Sequence, residues 1–254
     1  MNKYQNILDS RNVSVSGLTM HYRVSSHLLP PDAQSIVLVH GLATSNTYML
    51  PTAAQLASSY HIYVPDLPGF GKSTKPAHPF TISQLADALA DWMKAIGLEQ
   101  ATLLGNSLGC QVIAQFALRY PDCIEHAILV GPSMDPKALT AHQEIMRWLI
   151  NVPCEPFSLF PIMIGDFFHA GIRRTATTLK YALQDHIHEH LPHMQEPTLV
   201  VRGSRDTVVP QRWAEEAKNL LPNGRLVVVA GAAHDVNYNS PKQLAHIVRG
   251  FMQS

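Results

Sequence analysis

Gly105-Asn106-Ser107-Leu108-Gly109 constrains this 254-residue chain more than any other five residues, because it sets a serine where a strand must turn sharply into a helix. Ala101-Thr102-Leu103-Leu104, just before, is short and apolar, as a buried parallel strand should be. The run after it, Cys110 to Tyr120, carries Val112, Ile113, Phe116 and Ala117 at helical spacing. A serine at such a bend has a strained backbone and an outward hydroxyl. The residues two before and two after it must be tiny, since side chains there would collide across the turn. Gly105 and Gly109 meet that demand. A G-x-S-x-G string alone arises by composition in roughly one chain of this length in twenty, so the strand–turn–helix setting makes Ser107 a nucleophile candidate. The plain alternative is a helix N-cap.

A serine hydroxyl needs a base, and the base needs an orienting acid. Glu196-Pro197-Thr198-Leu199-Val200-Val201-Arg202-Gly203 reads as a buried strand that ends in Ser204-Arg205-Asp206. Arg225-Leu226-Val227-Val228-Val229-Ala230 reads as another, followed by Gly231-Ala232-Ala233-His234. Asp206 and His234 thus follow the carboxyl ends of strands, which in an open parallel sheet share one ligand-binding edge. The nearby acid Asp235 adjoins the histidine in sequence, so its side chain is expected to diverge from the imidazole. A tetrahedral oxyanion further needs two preorganised donors. Leu108, right after the serine, offers one backbone N–H. Leu42, exposed by the turn of Ile36-Val37-Leu38-Val39-His40-Gly41-Leu42, offers the other.

With these residues in place, the chain resembles the α/β-hydrolase family over nearly its whole length. The matching blocks are Leu38-Val39-His40-Gly41, Pro65-Asp66-Leu67-Pro68-Gly69-Phe70-Gly71-Lys72-Ser73, Gly105-Asn106-Ser107-Leu108-Gly109, Gly203-Ser204-Arg205-Asp206 and Gly231-Ala232-Ala233-His234. The resemblance implies a nucleophile at Ser107, an acid at Asp206, a base at His234 and oxyanion donors at Leu42 and Leu108. It also implies a mostly parallel α/β sheet with helices on both faces and a helical cap inserted between two strands. Asn106 is similar to the carbon–carbon bond hydrolase branch, yet the tryptophan those relatives carry after the histidine is replaced by Asp235. Dehalogenases and epoxide hydrolases need an aspartate at position 107 and are set aside.

The layout agrees. A hairpin is expected over 11–24, then strand 36–40, helix 46–58, strand 61–65, helix 81–96, strand 101–106, helix 107–120 and strand 124–131. Residues 133–192 hold helical runs and no convincing strand, and strand–helix alternation resumes at 197 to end in a helix over 241–253. The expected division is a core of 1–132 and 193–254 with a cap of 133–192. The cap is apolar in its middle, with Trp148, Leu149, Ile150, Phe157, Leu159, Phe160, Ile162, Met163, Ile164, Phe167 and Phe168. Part of that surface should pack on the core and part line a pocket.

Lysine plus arginine and aspartate plus glutamate each number 19, giving no electrostatic reason to invoke nucleic acid or an anionic membrane. No run approaches the 18 apolar residues of a membrane span, and Met1 to Ser10 holds no leader-like apolar segment. Three cysteines, Cys110, Cys123 and Cys154, cannot all pair and show no metal spacing, as expected of reduced thiols in the cytoplasm. His186, His190 and His193 would share one face of a continuous helix, with His188 nearby, but the segment is read as a solvated helix before a turn rather than as a metal site. His40 is read as a prop for the oxyanion loop. Asp66 and Ser73 are read as structural, and Arg173 and Arg174 as a solvated pair.

These readings lead to a serine hydrolase that cleaves an ester of a small, fairly apolar molecule, with no cofactor and no metal. The oligomeric state is left open. The alternatives are carbon–carbon hydrolysis of a ring-cleavage product and, in another class, a small-molecule receptor that retains the triad.

Overall fold

In a computed structural model, which describes residues 6–26, 29–138 and 140–253, the apolar runs become eight strands of one sheet. Residues 1–5, half of the stretch read for a leader, lie outside the described residues. The strands are β1 (Leu8–Val15), β2 (Leu18–Ser25), β3 (Ser35–Val39), β4 (His61–Pro65), β5 (Ala101–Asn106), β6 (Ile124–Val130), β7 (Thr198–Gly203) and β8 (Gly224–Val229). Their order is β1-β2-β4-β3-β5-β6-β7-β8. The leading hairpin begins earlier than its side-chain pattern suggests, at Leu8, and joins the sheet antiparallel to β4. All later pairs are parallel.

Parallel strands are covered on both faces, which explains why these runs are apolar throughout rather than alternating. Their period of two divides the core in half. Val37, Val39, Leu103 and Leu129 face one cluster, where α2 (Ile82–Ala95), α3 (Leu108–Arg119) and α8 (Gln211–Leu220) contribute Trp92, Phe116 and Trp213. Ile36, Leu38, Leu104 and Ile128 face the other, where α1 (Asn46–Leu56), the short α9 (Val236–Asn239) and α10 (Pro241–Met252) contribute Met49, Leu50, Val236, Leu244 and Val248.

This doubly covered sheet has one functional consequence. The five neighbouring strands β3, β5, β6, β7 and β8 all end on the same edge, and the loops that leave them carry Gly41, Ser107, Gly131, Asp206 and His234.

Between β6 and β7 the chain runs through helices only, among the described residues: α4 (Ala141–Asn151), α5 (Phe160–Ala170), α6 (Ile172–Gln184) and the short α7 (Ile187–His190). Hydrogen bonds tie this insertion to the core. Thr207 Oγ1 donates to Arg147 O at 3.0 Å, and Tyr238 OH donates to Ser158 O at 3.1 Å. Lys75 Nζ donates to His169 O.

Three expectations are corrected here. Arg174 is not a solvated residue: its guanidinium donates to Pro76 O at 2.6 Å and clasps α6 to the loop after β4, while Arg173 stays exposed. His186, His190 and His193 do not share a helical face, because His186 sits in the left-handed region at φ 47° and ends the helix there. The ring of His190 turns instead to Gln115, 3.0 Å away. Finally, Phe157 neither packs on the core nor lines the cavity but stands 91% exposed, its ring 6.0 Å from that of Phe160.

The turn after β5 depends on its two small residues. A Cβ on Gly105 would lie 2.6 Å from the Gly109 carbonyl, and one on Gly109 would strike the carbonyl oxygen of Val39. In an open helix, alanine would gain about 1 kcal/mol over glycine. Here the neighbour is backbone of the central strand and cannot give way. Gly109→Ala should therefore lose on the order of 2 kcal/mol of stability, read as a lowered urea midpoint at unchanged slope.

Candidate active site

Ser107 is positioned by backbone alone. Its φ of 55° and ψ of −118° place it outside both helix and strand, and its side chain makes no capping hydrogen bond to α3. Its N–H donates to Val130 O at 3.0 Å, so the turn is pinned to the end of β6 while the hydroxyl is left for the cavity. A non-glycine residue at positive φ costs of order 1–3 kcal/mol, and such strain gathers at functional sites. The N-cap alternative has no support in this geometry.

His234 and Asp206 meet across the neighbouring loops. His234 Nδ1 lies 2.9 Å from Asp206 Oδ2, both residues being buried. Asp206 Oδ1 accepts the N–H groups of Val208 at 2.8 Å and Val209 at 2.9 Å. That division leaves one carboxylate oxygen for the imidazole and fixes Nδ1 as its protonated nitrogen, freeing Nε2. Gly131, at φ 57°, passes so near that a Cβ there would stand 3.0 Å from the imidazole. Ser107 and His234 line the same cavity.

Asp235 diverges from the imidazole, as its adjacency implies, but it is not idle. It is buried on the cavity wall, where Tyr48 also lies. Burial and the negative charge of Glu155 push its carboxyl up to about 7. For His234, burial works against the charged ring, but Asp206, by charge and hydrogen bond, and then Asp235 and Glu155 outweigh it and carry the pKa up to about 9.

The His-Gly turn after β3 lies against the serine. A Cβ on Gly41 would be 3.4 Å from that of Ser107, and Leu42 and Leu108 both border the cavity. Leu108 opens α3, where an N–H has no acceptor within the helix. His40 Nδ1 donates to Gly41 O at 2.8 Å while its Nε2 accepts Leu67 N–H at 3.0 Å, a pairing only the neutral ring can make. Burial lowers its pKa accordingly. Asp66 is a structural hub: its carboxylate accepts from Asn46 N at 2.7 Å and Lys72 N at 2.9 Å, and it lies 2.7 Å from His21 Nδ1. Ser73 Oγ donates to its carbonyl at 2.6 Å.

Several supporting groups have no signal in the sequence. Arg202, inside β7, donates to Asp206 O at 2.8 Å and Val209 O at 2.6 Å, holding the loop that presents the acid. Asn106 donates to His234 O at 3.3 Å and accepts from Tyr48 OH. Glu155, on the insertion, accepts Asp235 N–H at 3.0 Å and Asn239 Nδ2 at 2.9 Å. Of these, Asn106 alone carries a sequence signal, its place beside the serine.

The cavity holds about 730 Å³, a size that suits a small organic molecule. Its outer wall is the insertion: Trp148, Leu149, Phe160, Met163, Phe167 and Phe168 all border it. Arg173 and Arg174 do not. Among the described residues, no group of three or more histidine, cysteine, aspartate or glutamate side chains is placed to hold a metal ion.

Residues 36–247, from within β3 to within α10, match the sequence model of the alpha/beta hydrolase family. The chain belongs to that family. This α/β-hydrolase is 26% identical to carboxylesterase YbfK of Bacillus subtilis, covering 88% of this chain and 81% of that one. It is 23% identical to a putative carbamate hydrolase, RutD, of Yersinia enterocolitica, covering 87% of this chain and 88% of that one. Among solved structures, a putative lipase from Acinetobacter baumannii superposes with a TM-score of 0.84 at 20% identity, over 99% of this chain and 93% of its own. The fold and the hydrolase class thus agree with the site. Among the described residues of this α/β-hydrolase, no helix is long and apolar enough to cross a membrane.

Proposed function

We propose that this α/β-hydrolase is a serine esterase that cleaves carboxylic esters of small, largely apolar molecules through an acyl-enzyme. One observation carries the reading: a strained serine free of any capping duty shares a cavity with a histidine whose far nitrogen is held by a buried aspartate. In this mechanism Ser107 Oγ attacks the carbonyl carbon as His234 Nε2 takes its proton. The oxyanion is met by the N–H groups of Leu42 and Leu108, each such donor being worth about a hundredfold or more. His234 then protonates the leaving alcohol, and water repeats the sequence to release the acid. The helical insertion acts as a cap that supplies apolar contact.

The carbon–carbon alternative asks the site to hold a carboxylate, and no lysine or arginine lines the cavity among the described residues. Labelling tests the esterase reading. A serine-directed phosphonate should add its mass to the peptide that contains Ser107, and a panel of p-nitrophenyl esters should turn over continuously. No label and no turnover would refute it, and a single stoichiometric burst would favour a receptor.

The pH profile gives a separate check. The base works only as the neutral ring, so a raised pKa moves the active form to alkaline pH. Residue type alone suggests a rise near pH 6–7. With the histidine at about 9, kcat/KM should instead climb with pH up to that region. Asp235→Asn, which removes one of the charges that raise it, should shift the limb toward neutral.

A further inference from the structure

The apolar wall of the cavity is broken by a polar strip along one face of α4. Glu144 and Asn151 lie two turns apart there with Trp148 between them, and all three border the cavity. Glu144 is 5% exposed and Asn151 2%. Among the described residues, neither Glu144 Oε1 nor Asn151 Oδ1 has a hydrogen-bond partner. Arg147 Nη1 forms an ion pair with Glu144 Oε1 at 3.7 Å, too long for a hydrogen bond, while its Nη2 reaches Asp135 at 3.1 Å. Asn151 spends its Nδ2 on Glu155, which leaves its acceptor half unused. Buried acceptors without donors are costly, so a ligand that brings donors is favoured.

Charge points the same way. Glu144, Glu155 and Asp235 are the cavity's acidic residues, and His234 is the sole basic one that borders it among the described residues. Burial holds Glu144 up at about 7, outweighing the Arg147 guanidinium that pulls it down. The rings of Trp148, Phe160, Phe167 and Phe168 add π faces, which attract a cation once water is excluded. A hydroxyl offers one donor and no charge, whereas a carboxylate or phosphate would be repelled.

Resting on the esterase reading, we propose that the preferred substrate carries a protonated amine on its apolar frame, and that the ammonium pairs with Glu144 beside the face of Trp148. Glu144 is then the residue that sets substrate charge.

Matched esters test this. On the acyl side, p-nitrophenyl 6-aminohexanoate is compared with p-nitrophenyl heptanoate and with the 6-hydroxyhexanoate. On the alcohol side, 6-aminohexyl acetate is compared with heptyl acetate. The amine should raise kcat/KM about tenfold or more over the alkyl ester in at least one pair, with the hydroxyl ester well below the amine. Glu144→Leu should bring the ratio to one or less, and Glu144→Gln, which keeps the shape if leucine impairs folding, should remove most of it. Parity in both pairs, or a preference that survives both variants, overturns the proposal while leaving the esterase standing. Binding separates the two readings from the other side. Calorimetry on the Ser107→Ala protein should show hexylammonium binding and hexanol not, whether or not any ester turns over. Equal binding of the two refutes the ammonium site.

Discussion

Ser107→Ala should lower ester turnover by about five orders of magnitude or more, to the residue that the oxyanion donors and binding supply without a nucleophile. The protein should meanwhile remain folded. The Ser107 side chain caps nothing, and alanine carries the same Cβ through the same strained backbone, so the stability change should stay within about 0.5 kcal/mol. Paired kinetics and thermal melts check both halves. A variant that hydrolyses at near the parental rate would remove the nucleophile from the mechanism.

Asp206→Asn should cost about ten-thousandfold in kcat, and the reason lies in how its two oxygens are used. Oδ1 receives the N–H groups of Val208 and Val209, so the asparagine carbonyl must stay there. Its amide NH2 would then face His234 Nδ1, two donors meeting where a donor and an acceptor belonged. The ring would answer by moving its proton to Nε2, the nitrogen that must accept from the serine. Asp235→Asn lacks that conflict, because its carboxyl does not hold the ring, and should cost less than about tenfold. The reverse ranking, in steady-state kinetics on one ester, would make Asp235 the acid.

Much of this was legible from residue order because local and global demands coincide. Strands β3, β5 and β7 are covered on both faces, so each reads as an unbroken apolar run that fixes where its carboxyl end lies. Ser107, Asp206 and His234 follow such ends directly. Other features depend on contacts between distant segments, which periodicity does not record. Arg202 looks like a solvated charge in a strand, yet its guanidinium is satisfied by carbonyls of the loop that folds back over it. Arg174 reaches 98 residues back to Pro76. The left-handed turn at His186 breaks what reads as one helical face, since histidine gives no warning of positive φ as glycine would. The pKa of His234 is collective too, set by Asp206, Asp235 and Glu155, which three different loops bring to it.

Glu155 belongs to the helical insertion, yet its carboxylate is the hydrogen-bond acceptor for the backbone of Asp235 and for Asn239, on the loop and short helix that follow the histidine. The segment that shapes the cavity therefore also steadies the residue next to the base. Substrate range and catalytic rate share a fastening in this chain and are not free to diverge independently. A chimera that grafted a foreign insertion between β6 and β7 would keep its sheet but lose that acceptor. New specificity acquired by such an exchange would arrive with a loosened histidine unless a carboxylate were restored where Glu155 stands.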